Sequence, residues 1–249
     1  MSEKSDILKK SIFIDETIST NLLLEDMCRE TVLPEGFVVC ADFQTVGKGQ
    51  QGNSWEAEKG KNLLFSLLLY PKHICIEKQF FISRIVCLGL KNTLSNYVDH
   101  ITIKWPNDIY WKDKKLSGIL IQNTLQDASI KNSIIGIGLN VNQTAFTSDA
   151  PNPVSLRQIT GKEYDKLSLL AEIHANIMNL YEKSSVVDIK NEYDKALYRC
   201  SGFHTFRANN EVFQAKIHSV HSDGLLELET KTGIKQCFYF KEVEFVISN

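Results

Sequence analysis

The period of the hydrophobic pattern changes along the chain, and each change predicts an element. SIFIDETIST (11–20) begins by alternating apolar and polar residues, as a half-buried strand does, and leads into LLLEDMCRE, a helix. Ser19, Thr20 and Asn21 stand between the two, and capping that helix is the commonest use of such side chains. FVVCADF (37–43) reads as a strand, and NLLFSLLLY (62–70) as a continuous apolar run of the kind covered on both faces, ended by Pro71. Between Glu77 and Tyr97, apolar residues including Phe81, Ile85 and Leu88 recur at intervals near three and four, which predicts an amphipathic helix packed on the sheet. From Ile101 the period becomes two: ITIKW, a turn at PND, IYW, a turn at KDKK, LSGILIQNT and SIIGIGLNVN form an antiparallel meander. The polar stretch 143–152, with Pro151 and Pro153 at its end, reads as a loop long enough to close over a ligand. Helices are expected at Leu167 to Lys183, with Leu170, Ile173, Ile177 and Tyr181 on one stripe, and at Ile189 to Tyr198. Beyond Cys200 only short strands remain, separated by Asn209-Asn210, Asp223-Gly224 and Thr232-Gly233. The fold class is therefore α+β: a mixed, largely antiparallel sheet packed with helices in 1–198, then a small β-barrel or sandwich in 199–249.

Composition narrows this picture mainly by exclusion. A chain of 249 residues can bury a sizeable core without disulfides. Its net charge of −2 and pI of about 6.3 give no basic footprint for nucleic acid, so no DNA partner is expected. The N-terminus lacks an apolar stretch of signal-peptide length, and no run approaches a membrane span, which points to the cytoplasm and to no membrane partner. Six scattered cysteines form no CxxC pair, and among six histidines only His218 and His221 are close. A regular strand would place those two on opposite faces, so no metal site is expected.

The candidate chemistry lies in two polar interruptions. GKGQQGNSW (47–55) contains GxGxxG, but the dinucleotide fingerprint must open a helix and needs an acidic residue after the second strand; NSWEAEKGKN has no helical period and LLLYPK no acid. A Walker loop is excluded because no Lys-Ser or Lys-Thr follows the last glycine. What survives is a basic, hydrogen-bonding loop after a strand, suited to an anion. In KWPND (104–108), Trp105 and Pro106 stiffen the strand end and fix where Lys104, Asn107 and Asp108 point. KLSG (115–118) then sets a cation beside a bare backbone edge, as an anionic ligand pressed on the strand would require. One fixed carboxylate and two lysines are the charges needed to manage a phosphate and an incoming nucleophile.

Taken together, ETISTN, ADFQTVGKGQQGNSW, GKNLLFS, KWPNDIY, KLSGILIQ and IGIGLNVN resemble the biotin protein ligases, in that family's order and spacing. The resemblance is to the short form: the pattern begins near Ser11, which leaves no room for an N-terminal DNA-binding domain. It implies the class II synthetase-like biotin/lipoate ligase fold with an SH3-like C-terminal domain. It also implies a two-step reaction, in which biotin and ATP with Mg2+ give biotinyl-5'-AMP and pyrophosphate, and a lysine of the biotin carboxyl carrier protein of a carboxylase then takes the biotinyl group. Carried over by position, Ser19, Thr20, Asn21, Gln44, Gly47, Lys48, Gly49, Gln50, Lys115 and Gly118 would bind biotin. Gln50, Gln51, Trp55, Asn107 and Asn140 would meet ATP or the adenylate, and Lys48, Asp108 and Lys115 would carry the catalysis. A homodimer through the sheet is within what the resemblance implies. The family loop is commonly GRGRRG, so Gln50 replaces a cation with a neutral amide, and adenylate retention is expected to be weaker. Neighbouring alternatives are a lipoate ligase or octanoyl transferase of the same fold, and a biotin-responsive regulator without enzymatic activity.

Overall fold

A computed structural model describes residues 7, 10–49, 52–72, 74–127, 129–147, 152–183 and 185–247. The first 139 residues build a seven-stranded sheet: β1 (Ser11–Thr17), β2 (Val38–Gln44), β3 (Leu63–Leu69), β4 (Ile101–Lys104), β5 (Asp108–Trp111), β6 (Lys114–Gln126) and β7 (Ser129–Leu139). Their order is β1-β2-β3-β7-β6-β5-β4, with β1 and β2 parallel and the other neighbours antiparallel. The expected mixed, largely antiparallel sheet is what forms, and β4 to β7 are the expected meander.

The two faces of this sheet are covered differently, and the difference makes the site. One face carries Phe65, Leu67, Ile135 and Ile137 into a large core beneath α2 (Phe80–Leu94), α4 (Lys166–Lys183) and α5 (Val186–Ala196). The other face is only half covered, by α1 (Thr20–Glu30), whose Leu24 packs on Val39, Leu68 and Ile134. Beyond α1 this face bears glycine and polar side chains. The all-buried run of β3 follows from that sandwiching between helices.

Several sequence expectations shift slightly. Glu77 to Tyr97 divides into a 3-10 turn (Ile76–Lys78) and α2, and the helix expected to reach Tyr198 ends at Ala196, because the Tyr198 N–H turns to the Ile103 carbonyl. A one-turn helix unseen in the pattern, α3 (Leu156–Thr160), is held by a Ser155/Gln158 capping box and stopped by Gly161 at φ +75°. It is too short to show a period. The C-terminal residues form a five-stranded antiparallel sheet of β8 (His204–Ala208), β9 (Glu211–Val220), β10 (Leu226–Thr230), β11 (Lys235–Phe238) and β12 (Glu244–Phe245), ordered β11-β10-β9-β8-β12. Asn209 and Asn210 both take positive φ in the β8–β9 turn, as their type allows. This sheet is docked on α2: Arg84 Nη2 donates to the carbonyls of Val220 (2.7 Å) and His221 (2.9 Å). No helix among the described residues is long and apolar enough to cross a membrane.

Candidate active site

The first turn of α1 is aimed into the uncovered half of the sheet. Ser19 holds the N-cap position with extended backbone, yet its hydroxyl makes no capping bond, so capping does not explain this trio. Ser19, Thr20 and Asn21 are instead buried against the strands. The Thr20 N–H and hydroxyl donate to Gln44 Oε1 at 2.8 and 3.1 Å, and the Asn21 amide donates to Gln122 Oε1 at 2.6 Å. Ser66 Oγ sits 2.7 Å from Thr20 Oγ1 and 2.5 Å from Asn21 Oδ1. A belt of polar groups is thereby held rigid at one end of a cavity. Sequence reasoning missed Ser66 and Gln122, although Ser66 is the lone polar residue within LLFSLLL.

The floor beside this belt is bare backbone. Gly118 on β6 pairs in register with Gly138 on β7, and Gly136 with Leu120. A Cβ on Gly136 would lie 2.4 Å from Asn21 Oδ1, and one on Gly138 would lie 2.4 Å from Trp55 Cε2, so any side chain there would displace a wall of the site. IGIGLNVN marked this strand, but neither glycine was singled out as a site residue. Residues 47–49 lie against 53–55: Lys48 pairs with Ser54, the Gly49 N–H donates to Asn53 O (2.6 Å) and the Trp55 N–H to Gly47 O (2.9 Å). The Gly49 N–H is thus already bonded within the loop rather than offered to an anion. Lys48 lines the cavity, and Trp55 lies across Gly118 and Gly138 with its buried Nε1 unpartnered among the described residues. Gln50 and Gln51 lie outside the described residues.

Opposite the belt stands the charged corner. Lys115 Nζ and Asp108 Oδ2 form a 2.8 Å ion pair. Lys115 and Gly118 are three apart and would face opposite ways on a regular strand. They share a face because the β5–β6 register jumps: Ile109 pairs with Ser117 but Tyr110 with Lys115, leaving Leu116 as the extra residue of a bulge. The segment after the long loop fixes this strand, with Lys115 N bonded to Asn152 O (2.8 Å) and Val154 N to Lys115 O (2.9 Å). At the hairpin corner the Trp105 indole donates to Gly224 O (2.9 Å), Tyr193 to Pro106 O (2.7 Å) and the Asn107 amide to Ile119 O (2.9 Å). Asn107 is therefore spent on holding the corner, and it lines a groove beside Phe80 and Gly224 rather than the cleft below.

That cleft, of about 700 Å³, opens outward from the ion pair and is lined by Trp55, Lys104, Tyr110, Asn140 and Phe240 among others. It has the size of a small-molecule site. Asn140 donates to Val154 O at 3.2 Å, while its Oδ1 is buried without a partner among the described residues, an acceptor in need of a donor. Burial pulls the Lys104 ammonium below the ordinary lysine range, with Asp108 pulling it back up. The three aromatics 238–240 divide: Phe238 stacks on Phe213 inside the C-terminal sheet, Tyr239 is exposed, and Phe240 overhangs both cavity and cleft.

One expectation needs correcting. His218 and His221 do not face apart, since both stand 3.6 Å from Glu227 Oε2. The β9–β10 register jumps between Glu227 and Leu228, leaving His218 as a bulged residue, so the parity rule fails there. His221, Glu227 and Cys237 form an empty trio of metal-ligand type, with the Lys235 ammonium 2.7 Å from the neighbouring His218.

Three comparisons bear on this geometry. The sequence profile described as the biotin/lipoate A/B protein ligase family matches residues 12–140. Similar relatives include the bifunctional ligase/repressor BirA of Bacillus subtilis (strain 168), 27% identical over 244 residues covering 94% of this chain and 74% of that protein. The biotin--protein ligase of Homo sapiens is 31% identical over 139 residues, 53% of this chain and 19% of that one. Among solved structures, the biotin protein ligase from Aquifex aeolicus in complex with biotin and ATP matches with a TM-score of 0.76 at 25% identity, covering 96% of this chain and all of the other.

Proposed function

The chain belongs to the biotin/lipoate A/B protein ligase family, and from that membership we propose that it is a biotin protein ligase: it activates biotin with ATP to biotinyl-5'-AMP and passes the biotinyl group to a lysine of a biotin carboxyl carrier protein. The observation that carries this reading is one continuous cavity with a rigid polar belt at one end and a Lys115–Asp108 pair at the other, over a floor of bare glycine backbone.

Each part then has a physical task. The ureido ring of biotin, with two N–H donors and one carbonyl, meets Ser19, Thr20, Asn21 and Gln44, whose hydroxyl and amide groups supply both polarities. Ser66 and Gln122 hold those groups in place. The apolar rings and chain lie in the cavity lined by Gly118, Gly136 and Gly138, whose lack of side chains leaves room for the Asn21 and Trp55 walls. The biotin carboxylate reaches Lys48 and Lys115, whose charges oppose its repulsion from the α-phosphate and stabilise charge growing on the phosphoryl oxygens. Asn140 Oδ1 accepts from the nucleotide's amino group, and Trp55 closes over the adenylate. In the second step Asp108, released by Lys115 as that ammonium turns to the mixed anhydride, orients the carrier's lysine and takes its proton; at a reference pKa of about 10.4 an unassisted lysine is mostly protonated.

Magnesium, which ATP chemistry of this kind uses, would neutralise phosphate charge and would arrive with the nucleotide. Asp108 and Glu56 are the carboxylates lining the cleft among the described residues and would be the ones to hold the ion, Asp108 being paired with Lys115 and Glu56 with Thr147 in this structure. We place the ligase unit at 1–198 and a covering unit at 199–249 that supplies Phe240. The test is biotin-dependent exchange of pyrophosphate into ATP, run in parallel with lipoate. Exchange with biotin alone is expected; exchange with lipoate alone would reassign the chain to the lipoate branch.

A further inference from the structure

Among the described residues, one cation at the reacting centre has no ion pair of its own. Asp108 and Lys115 pair with each other at 2.8 Å, and Lys104, the register partner of Asp108 across the β4–β5 corner, is left over. Its ammonium stands 5.1 Å from the Tyr110 ring and 5.4 Å from the Phe245 ring, and among the described residues no carboxylate pairs with it. Two aromatic faces offset part of the cost of desolvating a cation, and Asp108 and Glu244 act on it only at longer range, so the ammonium keeps room for a direct contact with an anion.

Position identifies which anion. The Lys115–Asp108 pair lines both the inner cavity, where the polar belt lies, and the outer cleft, whereas Lys104 lines the outer cleft and not the inner cavity. Displacement at a phosphoryl centre runs in line, with nucleophile and leaving group on opposite sides of phosphorus. A carboxylate seated in the inner cavity attacks from the belt side. The leaving group must then depart into the outer cleft, on the side of Lys104.

We infer that Lys104 receives the departing pyrophosphate of ATP, an inference that rests on the biotin-activating reading above. A carboxylate oxygen of biotin forms the new bond to the α-phosphorus while the bond from that phosphorus to the bridging oxygen breaks. The electron pair stays with pyrophosphate, and no proton need move. Negative charge gathers on the bridging oxygen and the β-phosphate, and the Lys104 ammonium neutralises it where Lys48 and Lys115 cannot, since those serve the carboxylate and the α-phosphoryl oxygens. Lysine suits the task as a compact point charge on a flexible stem.

The two half-reactions separate this role from the others. Lys104→Met keeps the volume of the stem and removes the charge. It is expected to lower biotin-dependent pyrophosphate exchange about a hundredfold, the size of effect seen when a donor to developing charge is lost. The KM for pyrophosphate should rise, while transfer from preformed biotinyl-5'-AMP to the carrier stays within about twofold because no pyrophosphate takes part in that step. Lys104→Arg should recover much of the exchange, and both variants should melt near the wild type. Unaltered exchange in Lys104→Met would overturn the inference, as would a loss of transfer as large as the loss of exchange, which would put Lys104 on the acceptor side. A wild-type chain that exchanges no pyrophosphate with biotin would instead overturn the reading beneath it.

Discussion

Lys115 meets three demands at once: it sits on a bulge, it is braced by the 152–154 segment, and it is paired with the carboxylate that must later act on the acceptor. Lys115→Ala should lower biotin-dependent pyrophosphate exchange by about 10²–10³-fold with little change in melting temperature, because a partly exposed ion pair adds little to stability while charge neutralisation at a transition state adds much. Near-normal exchange would show that the residue has been misassigned. At the opposite end, Ser66→Ala leaves Thr20 and Asn21 without their common partner. The KM for biotin should rise about tenfold, the scale of one buried hydrogen-bonding group, and the KM for ATP should not move. The corner and KLSG were legible in the sequence because proline, glycine and charge stand out locally. Ser66, Gln122 and Gly138 were not, since their importance comes from neighbours on other strands: Ser66 lies opposite Gly136, a pairing that separates them by far in the chain. The capping explanation of Ser19, Thr20 and Asn21 failed for the same reason, with Gln44 and Ser66 competing for groups that local rules assign to the helix end.

Among the elements, the strongest coupling joins α2 to the C-terminal sheet. Arg84 is buried, donates to two carbonyls of the β9–β10 connection and packs against the rings of Phe80 and Tyr193, and burial lowers its pKa. The same connection takes the Trp105 indole at Gly224. The position of Phe240 over the site therefore depends on contacts far from it. Arg84→Met should cost roughly 2–4 kcal/mol of stability by leaving those carbonyls unpaired, and should lower activity by loosening that cover. Denaturant unfolding followed alongside exchange would check both. Periodicity identified the long helices and the meander because their faces are one-sided. It could not show the bulges at Leu116 and His218, where one extra residue reverses the facing of everything beyond it.

For the whole molecule, the governing fact is the unequal covering of the large sheet. Three helices seal one face, and α1 seals half of the other, leaving the remainder for a ligand. The fold class was legible in the alternation of patterns, but which half stayed open depends on how α1 lies across the strands, and no single stretch records that. One partly buried base contributes a pH dependence to stability. His174 on α4 contacts the Gly36 carbonyl at 2.8 Å, and burial holds its pKa below the ordinary 6.5. Above that value both folded and unfolded states are neutral. Below it the unfolded chain takes up the proton first, so stability should fall as pH drops from 6.5 toward the lower folded pKa. Melting temperature followed from about pH 7.5 to pH 5 should show this decline, and His174→Gln, which keeps a donor without titrating, should flatten it. The cavity as a whole serves to join biotin to a protein lysine at the expense of ATP. Incubating the chain with ATP, Mg2+, biotin and a biotin carboxyl carrier domain, and weighing the carrier by mass spectrometry, tests it directly. A gain of one biotinyl group at a single lysine, requiring both biotin and ATP, is the expected result; an unmodified carrier, or a gain seen only when lipoate or an octanoyl donor replaces biotin, would contradict it.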